Sequence, residues 1–198
     1  MRMLGWIAGG VGVVLIGGIA AWTLYSRSIE TWPYEVVHRE GDFELRDYPA
    51  MTVAEVTARG DRQAAVREGF RPLARYIFAS ERPGDKIAMT APVTQTREDA
   101  TTWQVRFVMP AQYDLDDLPR PAGADVRIVE TEPRRMAAVR FSGSWTDARM
   151  ERHEARLRDW IASQDLEPVT PPTYAYYNDP FTPGFLRRNE VLIGVEPR

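Results

Sequence analysis

Residues 102–109 read Thr-Trp-Gln-Val-Arg-Phe-Val-Met, an alternation that puts Trp103, Val105, Phe107 and Met109 on one face of a strand and Gln104 and Arg106 on the other. A sheet with one buried face follows. Upstream lie a strand-like run at 86–96, a helix predicted over 62–79 with Asp61 as its N-cap and Pro83-Gly84 beyond its end, and a strand at 51–59. Downstream, the connection 110–123 is stiffened by Pro119 and Pro121, and 126–132 with 136–142 reads as a hairpin. Thr146 then caps a helix to about residue 164, and strands at 174–178 and 191–195 close the pattern. A first hairpin, 34–39 with 43–47, turns at Glu40-Gly41-Asp42. Strand, helix, strand, strand thus occurs twice. The pattern predicts an α+β body of two pseudo-symmetric βαββ repeats, with two helices against an antiparallel sheet that neither half can bury alone.

Composition narrows the function classes. The chain has 198 residues, 44% hydrophobic and 27% charged, with a net charge of −3, so it is foldable and carries no general basic surface for nucleic acid. All but one of its 25 basic residues are arginine, the exception being Lys86, which suits planar contacts to carboxylates or phosphates. The absence of cysteine excludes disulfides, thiolate metal sites and cysteine nucleophiles.

From Met3 to Tyr25 the chain runs 23 residues without a charge, enough as a helix to cross a hydrocarbon layer of ~30 Å. Arg2 and Arg27 flank the run, and Trp6, Trp22 and Tyr25 lie near its ends as interfacial aromatics do. The expectation is an N-terminal transmembrane anchor over 1–26, a linker at 27–33 and a folded body at 34–198 on the non-cytoplasmic side. A cleaved signal with Gly18-Ile19-Ala20 as its site is the competing reading.

Residues 86–93, Lys-Ile-Ala-Met-Thr-Ala-Pro-Val, resemble the K-I-x-M-T-x-P-V signature of the SOUL / heme-binding protein family. Glu30-Thr31-Trp32-Pro33, Gly69-Phe70 with Tyr76-Ile77, and Arg187-Arg188-Asn189-Glu190-Val191 resemble further stretches of that family in the same order. The resemblance implies a distorted antiparallel β-barrel of two pseudo-repeats flanked by two helices. It also implies non-covalent binding of heme or another tetrapyrrole in a groove beside the first helix, near the loop before the last strand. The groove positions on that helix match Arg67, Phe70, Ala74 and Arg75 here. Some members carry methionine where this chain has Phe70 and Ala74, and the histidine that certain members offer as axial ligand matches Asp47, so histidine ligation there is ruled out.

On a helical projection Val66, Phe70, Leu73 and Ile77 share one face, read as core, while Arg67, Arg71, Ala74 and Phe78 cluster on the adjoining flank. That flank pairs guanidinium groups with apolar surface, which is what a flat ring bearing propionates requires. Arg75 points about 80° further round. Phe181 and Phe185, on a loop with Pro180, Pro183 and Gly184, either close the groove from the other side or cap the sheet. In the signature, Ile87, Met89, Ala91 and Val93 alternate inward as strand core, with Pro92 at an edge or bulge.

His153 shares a helical face with Met150, Leu157 and Ile161 and reads as packed; His38 ends a strand beside Arg39, and neither has the spacing of a protein-only metal site. The sequence has no nucleophile elbow, phosphate-cradling glycine loop or dinucleotide fingerprint. The expected activity is therefore a membrane-anchored tetrapyrrole-binding module and no enzyme. Two alternatives remain: a small hydrolase-like enzyme using Glu190 with Tyr176 and Tyr177, and an interaction domain that binds no pigment.

Overall fold

The computed structural model describes residues 29–198. The predicted span at 1–26 lies outside the described residues, among which no helix is long and apolar enough to cross a membrane.

A two-residue strand, β1 (Glu30–Thr31), precedes the hairpin β2 (Glu35–Glu40) and β3 (Phe43–Tyr48), which turns at Gly41 with φ +58°. Then come β4 (Met51–Arg59), helix α1 (Arg62–Ile77), β5 (Thr90–Ala91), β6 (Val93–Arg97) and β7 (Thr102–Val108). The second half holds β8 (Arg127–Thr131), β9 (Arg134–Phe141), helix α2 (Asp147–Ser163), β10 (Leu166–Pro168), β11 (Thr173–Tyr176) and β12 (Asn189–Pro197). Asp61 caps α1 as predicted, its carboxylate accepting the Ala64 amide at 2.7 Å, and Thr146 is the N-cap residue of α2.

All pairings in the main sheet are antiparallel, in the order β2-β3-β9-β12-β11-β6-β7-β4-β8, with β10 beside β12. The middle of that order is symmetric: β9-β12-β11 on one side mirrors β4-β7-β6 on the other, so β6 and β11 meet at a pseudo-two-fold axis. The two repeats are real. Their leading strands, however, are exchanged: β3, which precedes β4 in the chain, pairs with β9, and β8, which precedes β9, pairs with β4. The predicted hairpin over 126–142 is therefore wrong, because β8 and β9 lie far apart in the sheet. Glu132-Pro133 between them explains why, since the residue before a proline favours extended backbone and carries the chain onward instead of folding it back.

The expected distorted barrel is also corrected, because the sheet does not close. β2 and β8 each have a single neighbour and form two open edges. The sheet nevertheless curls, since Tyr48 of β3 and Val53 of β4, from near opposite ends of the strand order, share one buried cluster with Val108, Ala138, Ala175 and Leu192. Trp32 is buried in that cluster, edge-on to Tyr48 at 5.8 Å. The larger core lies on the other face, where α1 packs on β4 and β7 and α2 on β9, β10 and β12.

Two local expectations fail for identifiable reasons. The predicted strand 86–96 is interrupted at a cis Ala91–Pro92 bond, and 86–89 is irregular. Ile87 and Ala91 are buried and Val93 half-buried, but Met89 is exposed, because 86–89 is not a regular strand and keeps no period of two. In α1 the buried stripe is Arg62, Ala65, Gly69, Leu73, Tyr76 and Ile77, so the inward face is rotated from the predicted one. Val66 is half-buried and Phe70 stands at the margin. Gly69 sets that rotation: a Cβ there would meet Val105 Cγ2 at 2.6 Å, so only glycine lets the helix lie so close to β7.

Candidate functional site

Rotation of α1 leaves one shoulder of the helix uncovered. Phe70, Ala74 and Phe78 follow one another at i, i+4 and i+8 along it, with Phe70 36% and Phe78 42% exposed. Phe70 leans edge-on against Phe107 of β7 at 5.3 Å, which fixes its ring while leaving its outer surface open. Arg67 and Arg71 flank this stripe one turn apart, both exposed, with no ion pair among the described residues. The structure therefore brings together five of the predicted residues: Arg67, Phe70, Arg71, Ala74 and Phe78.

Arg75 does not join them. It pairs with Glu81 at 3.1 Å and lines a groove on the opposite shoulder, between Pro72 and Tyr76 of α1 and residues 121–126. That groove encloses about 360 Å³ including its open mouth. Arg82 borders it and is buried, donating to the carbonyls of Tyr76, Pro83 and Asp85 at 2.8, 3.0 and 2.9 Å. These bonds tie the end of α1 to the chain that leads into β5.

Phe181 and Phe185 are placed elsewhere again. Asp179 organises their loop by accepting the amides of Phe181 and Thr182 at 2.8 and 3.0 Å and the Thr182 hydroxyl at 3.0 Å. Arg187 donates to the carbonyls of Thr182 and Pro180 at 2.7 and 2.8 Å and lies over the Trp145 ring at 4.1 Å. The Gly143 amide donates to Gly184 O at 2.8 Å. This arrangement sets the loop beside Trp145, whose carbonyl accepts from Arg62 at the start of α1. Phe78 lies at the far end of the same helix, ~24 Å away at 1.5 Å per residue. With Phe181 91% and Phe185 79% exposed, neither ring packs on the α1 shoulder.

Two buried polar clusters contain Glu190, Tyr176 and Tyr177, together with partners that the sequence did not single out. Arg62 donates to Asp147 Oδ1 and to the Tyr176 hydroxyl, both at 2.6 Å, and Tyr176 donates to Gln95 Oε1 at 3.1 Å. Burial pushes the Tyr176 phenol up to about 12 against the pull of Arg62, so it stays protonated. On the other face of the sheet Glu190 accepts from Arg46 at 2.7 and 3.0 Å, from Arg188 at 3.0 Å and from Tyr177 at 3.0 Å. Burial alone would raise the Glu190 carboxyl, but the bonds and charges of Arg46 and Arg188 outweigh it and hold the group below its ordinary value. An ionised carboxylate with both oxygens engaged has no proton to donate and no free lone pair to act as base. Tyr176 lies on the opposite face from Glu190, so the predicted trio of Glu190, Tyr176 and Tyr177 is not assembled. Arg46 and Arg62 carried no signal in the sequence, because charged residues on strands and helix starts read as solvated.

His153 belongs to α2 and His38 lies against it. His38 stacks on Trp160 at 6.3 Å and His153 on Phe141 at 3.8 Å. Burial and the neighbouring Arg156, Arg149 and Arg152 hold the His153 imidazole below its ordinary value, so it is neutral at pH 7. Asp47 accepts two hydrogen bonds from Arg135, each 2.7 Å. Among the described residues no group of three or more histidine or carboxylate side chains is placed to hold a metal ion.

Residues 29–194 match the family model described as SOUL heme-binding protein. The chain is 28% identical over 168 residues to heme-binding protein 2 of Homo sapiens, covering 78% of this chain and 81% of that protein. It is 29% identical over 118 residues to heme-binding protein 2 of Mus musculus, covering 56% and 57% of the two chains. Among solved structures, the EcmrR C-terminal domain superposes with a TM-score of 0.60 at 12% identity, covering 83% of this chain and 99% of that one. A hydrolase from Listeria innocua superposes with a TM-score of 0.54 at 15% identity, over 81% and 94%. At those identities the two structures share the fold and nothing narrower.

Proposed function

Because the chain belongs to the SOUL heme-binding protein family, we propose that it binds heme or another tetrapyrrole non-covalently on the exposed shoulder of α1, with no imidazole on the iron. Family membership supports tetrapyrrole binding in general. The placement on α1 is carried by one observation: two guanidinium groups with no ion pair among the described residues, Arg67 and Arg71, flank the apolar stripe Phe70, Ala74 and Phe78. A porphyrin laid on that stripe buries one ring face against the two phenylalanines, and its propionates reach the arginines for charge-assisted hydrogen bonds. When bound, the tetrapyrrole supplies whatever redox or metal chemistry the protein has; the chain supplies apolar contact and charge.

The uncharged run at 3–25 supports a second element of the proposal, a membrane anchor that keeps the folded body on the non-cytoplasmic side. Purposes that fit such an arrangement are buffering or transfer of the pigment. Titration of the full chain in detergent with hemin tests the reading, against detergent alone. A saturable shift of the Soret band that is weakened in Arg67→Glu is expected. A titration without saturation, or one that Arg67→Glu and Arg71→Glu leave unmoved, overturns the site.

A further inference from the structure

Phe181 and Phe185 are by far the most exposed large apolar side chains among the described residues, and the loop that carries them is built to keep them so. Three hydrogen bonds to Asp179, two from Arg187 and the backbone bond from Gly143 to Gly184 define its path, and Thr182 between the two rings is fully buried. Leu186 adds partly exposed apolar surface beside them. A segment whose polar groups are satisfied internally while its phenylalanines face outward is organised for an apolar surface.

We infer that the loop 179–187 is an interfacial wedge that seats Phe181 and Phe185 in the headgroup and upper acyl region of a lipid bilayer. The inference rests on the anchored reading above. In that reading four residues separate Tyr25 from Glu30, where β1 opens the body, a tether of ~14 Å at most, which keeps the body next to lipid. The loop's charges point the same way. Asp179 is engaged by the loop's own amides and Arg187 by its carbonyls and by Trp145, so the loop itself presents no free charge beside the phenylalanines. The contact is apolar, suits zwitterionic lipid and is insensitive to salt.

The absence of cysteine makes the test direct. An environment-sensitive dye is attached to Phe181→Cys, Phe185→Cys or, as control, Gly123→Cys in the full chain reconstituted into phosphatidylcholine vesicles. Position 123 is exposed, and a side chain there meets nothing within 4 Å. Emission from 181 and 185 is expected to shift to the blue, to be quenched by lipids spin-labelled near the headgroup and to lose access to aqueous iodide several-fold, with position 123 unchanged. Dyes at 181 and 185 that stay as open to iodide as the control, in a chain that resists carbonate extraction, overturn the wedge and leave the anchor standing. A shift that grows with protein concentration in detergent without lipid also overturns it, in favour of self-association. Extraction of the chain by carbonate overturns the anchor and the wedge together.

Discussion

Arg62 and Asp147 are the first residues of α1 and α2, and they meet each other at 2.6 Å. One helix start is thus bonded to the other, between the two pseudo-repeats. The partners are unequal, since Asp147 is 54% exposed while Arg62 is buried and also serves Tyr176 and the Trp145 carbonyl. Removing Arg62 strands buried acceptors, whereas removing Asp147 mostly exposes a charge to water. Arg62→Ala is expected to lower unfolding free energy by ~3 kcal/mol and Asp147→Ala by no more than ~1 kcal/mol, read from chemical denaturation.

The cluster around Glu190 predicts a dependence on acid. The folded carboxyl sits below its ordinary value of 4.5, so its share of the stability is fully present above that pH and disappears as the pH falls through the folded value. Glu190→Gln leaves Arg46 buried with an incomplete partner and is expected to cost about 3 to 5 kcal/mol at neutral pH. Denaturation midpoints measured from pH 7 to 3 should show the gap between the two proteins constant down to about pH 5 and narrowing below it.

Gly69 tests the helix placement. Alanine in an exposed helix interior gains about 0.8–1 kcal/mol over glycine, but a methyl here runs into Val105. Overpacking of this kind costs about 1–3 kcal/mol, so Gly69→Ala should lower the melting temperature despite its better propensity. An unchanged or higher value contradicts the close approach of α1 to β7.

For the ligand, reversing charge at Arg67 or Arg71 is expected to weaken hemin about ten-fold, equal to ~1.4 kcal/mol, while Arg75→Glu leaves affinity unchanged because Arg75 faces the other groove. His38→Ala and His153→Ala should leave the Soret band of the complex in place, since His38 is stacked on Trp160 and His153 on Phe141. A displaced band in either variant means that an imidazole does reach the iron.

Much of this architecture was legible locally. Asp61 and Thr146 mark their helices because capping is a property of a few adjacent residues, and residues 102–109 announce a half-buried strand by their alternation. What alternation does not carry is partnership. Nothing between residues 126 and 142 states that β8 crosses to β4 and leaves β9 to β3, because the information lies in strands some 80 residues away. The α1 stripe was displaced for a similar reason: Arg62 counts as solvent-facing until Asp147 and Tyr176 arrive from the other half. The five residues on the α1 shoulder were legible because helical geometry alone puts them on one side, and the separation of Arg75 followed from the same geometry.

Exchange of β3 and β8 makes the molecule an intramolecular dimer. Each lobe completes its sheet with a ribbon lent by its counterpart, so neither is a module that selection or a protease can detach. Nicking the backbone between β7 and β8 would yield two peptides that are each other's missing border, and their reassembly from solution is a natural route to a split reporter.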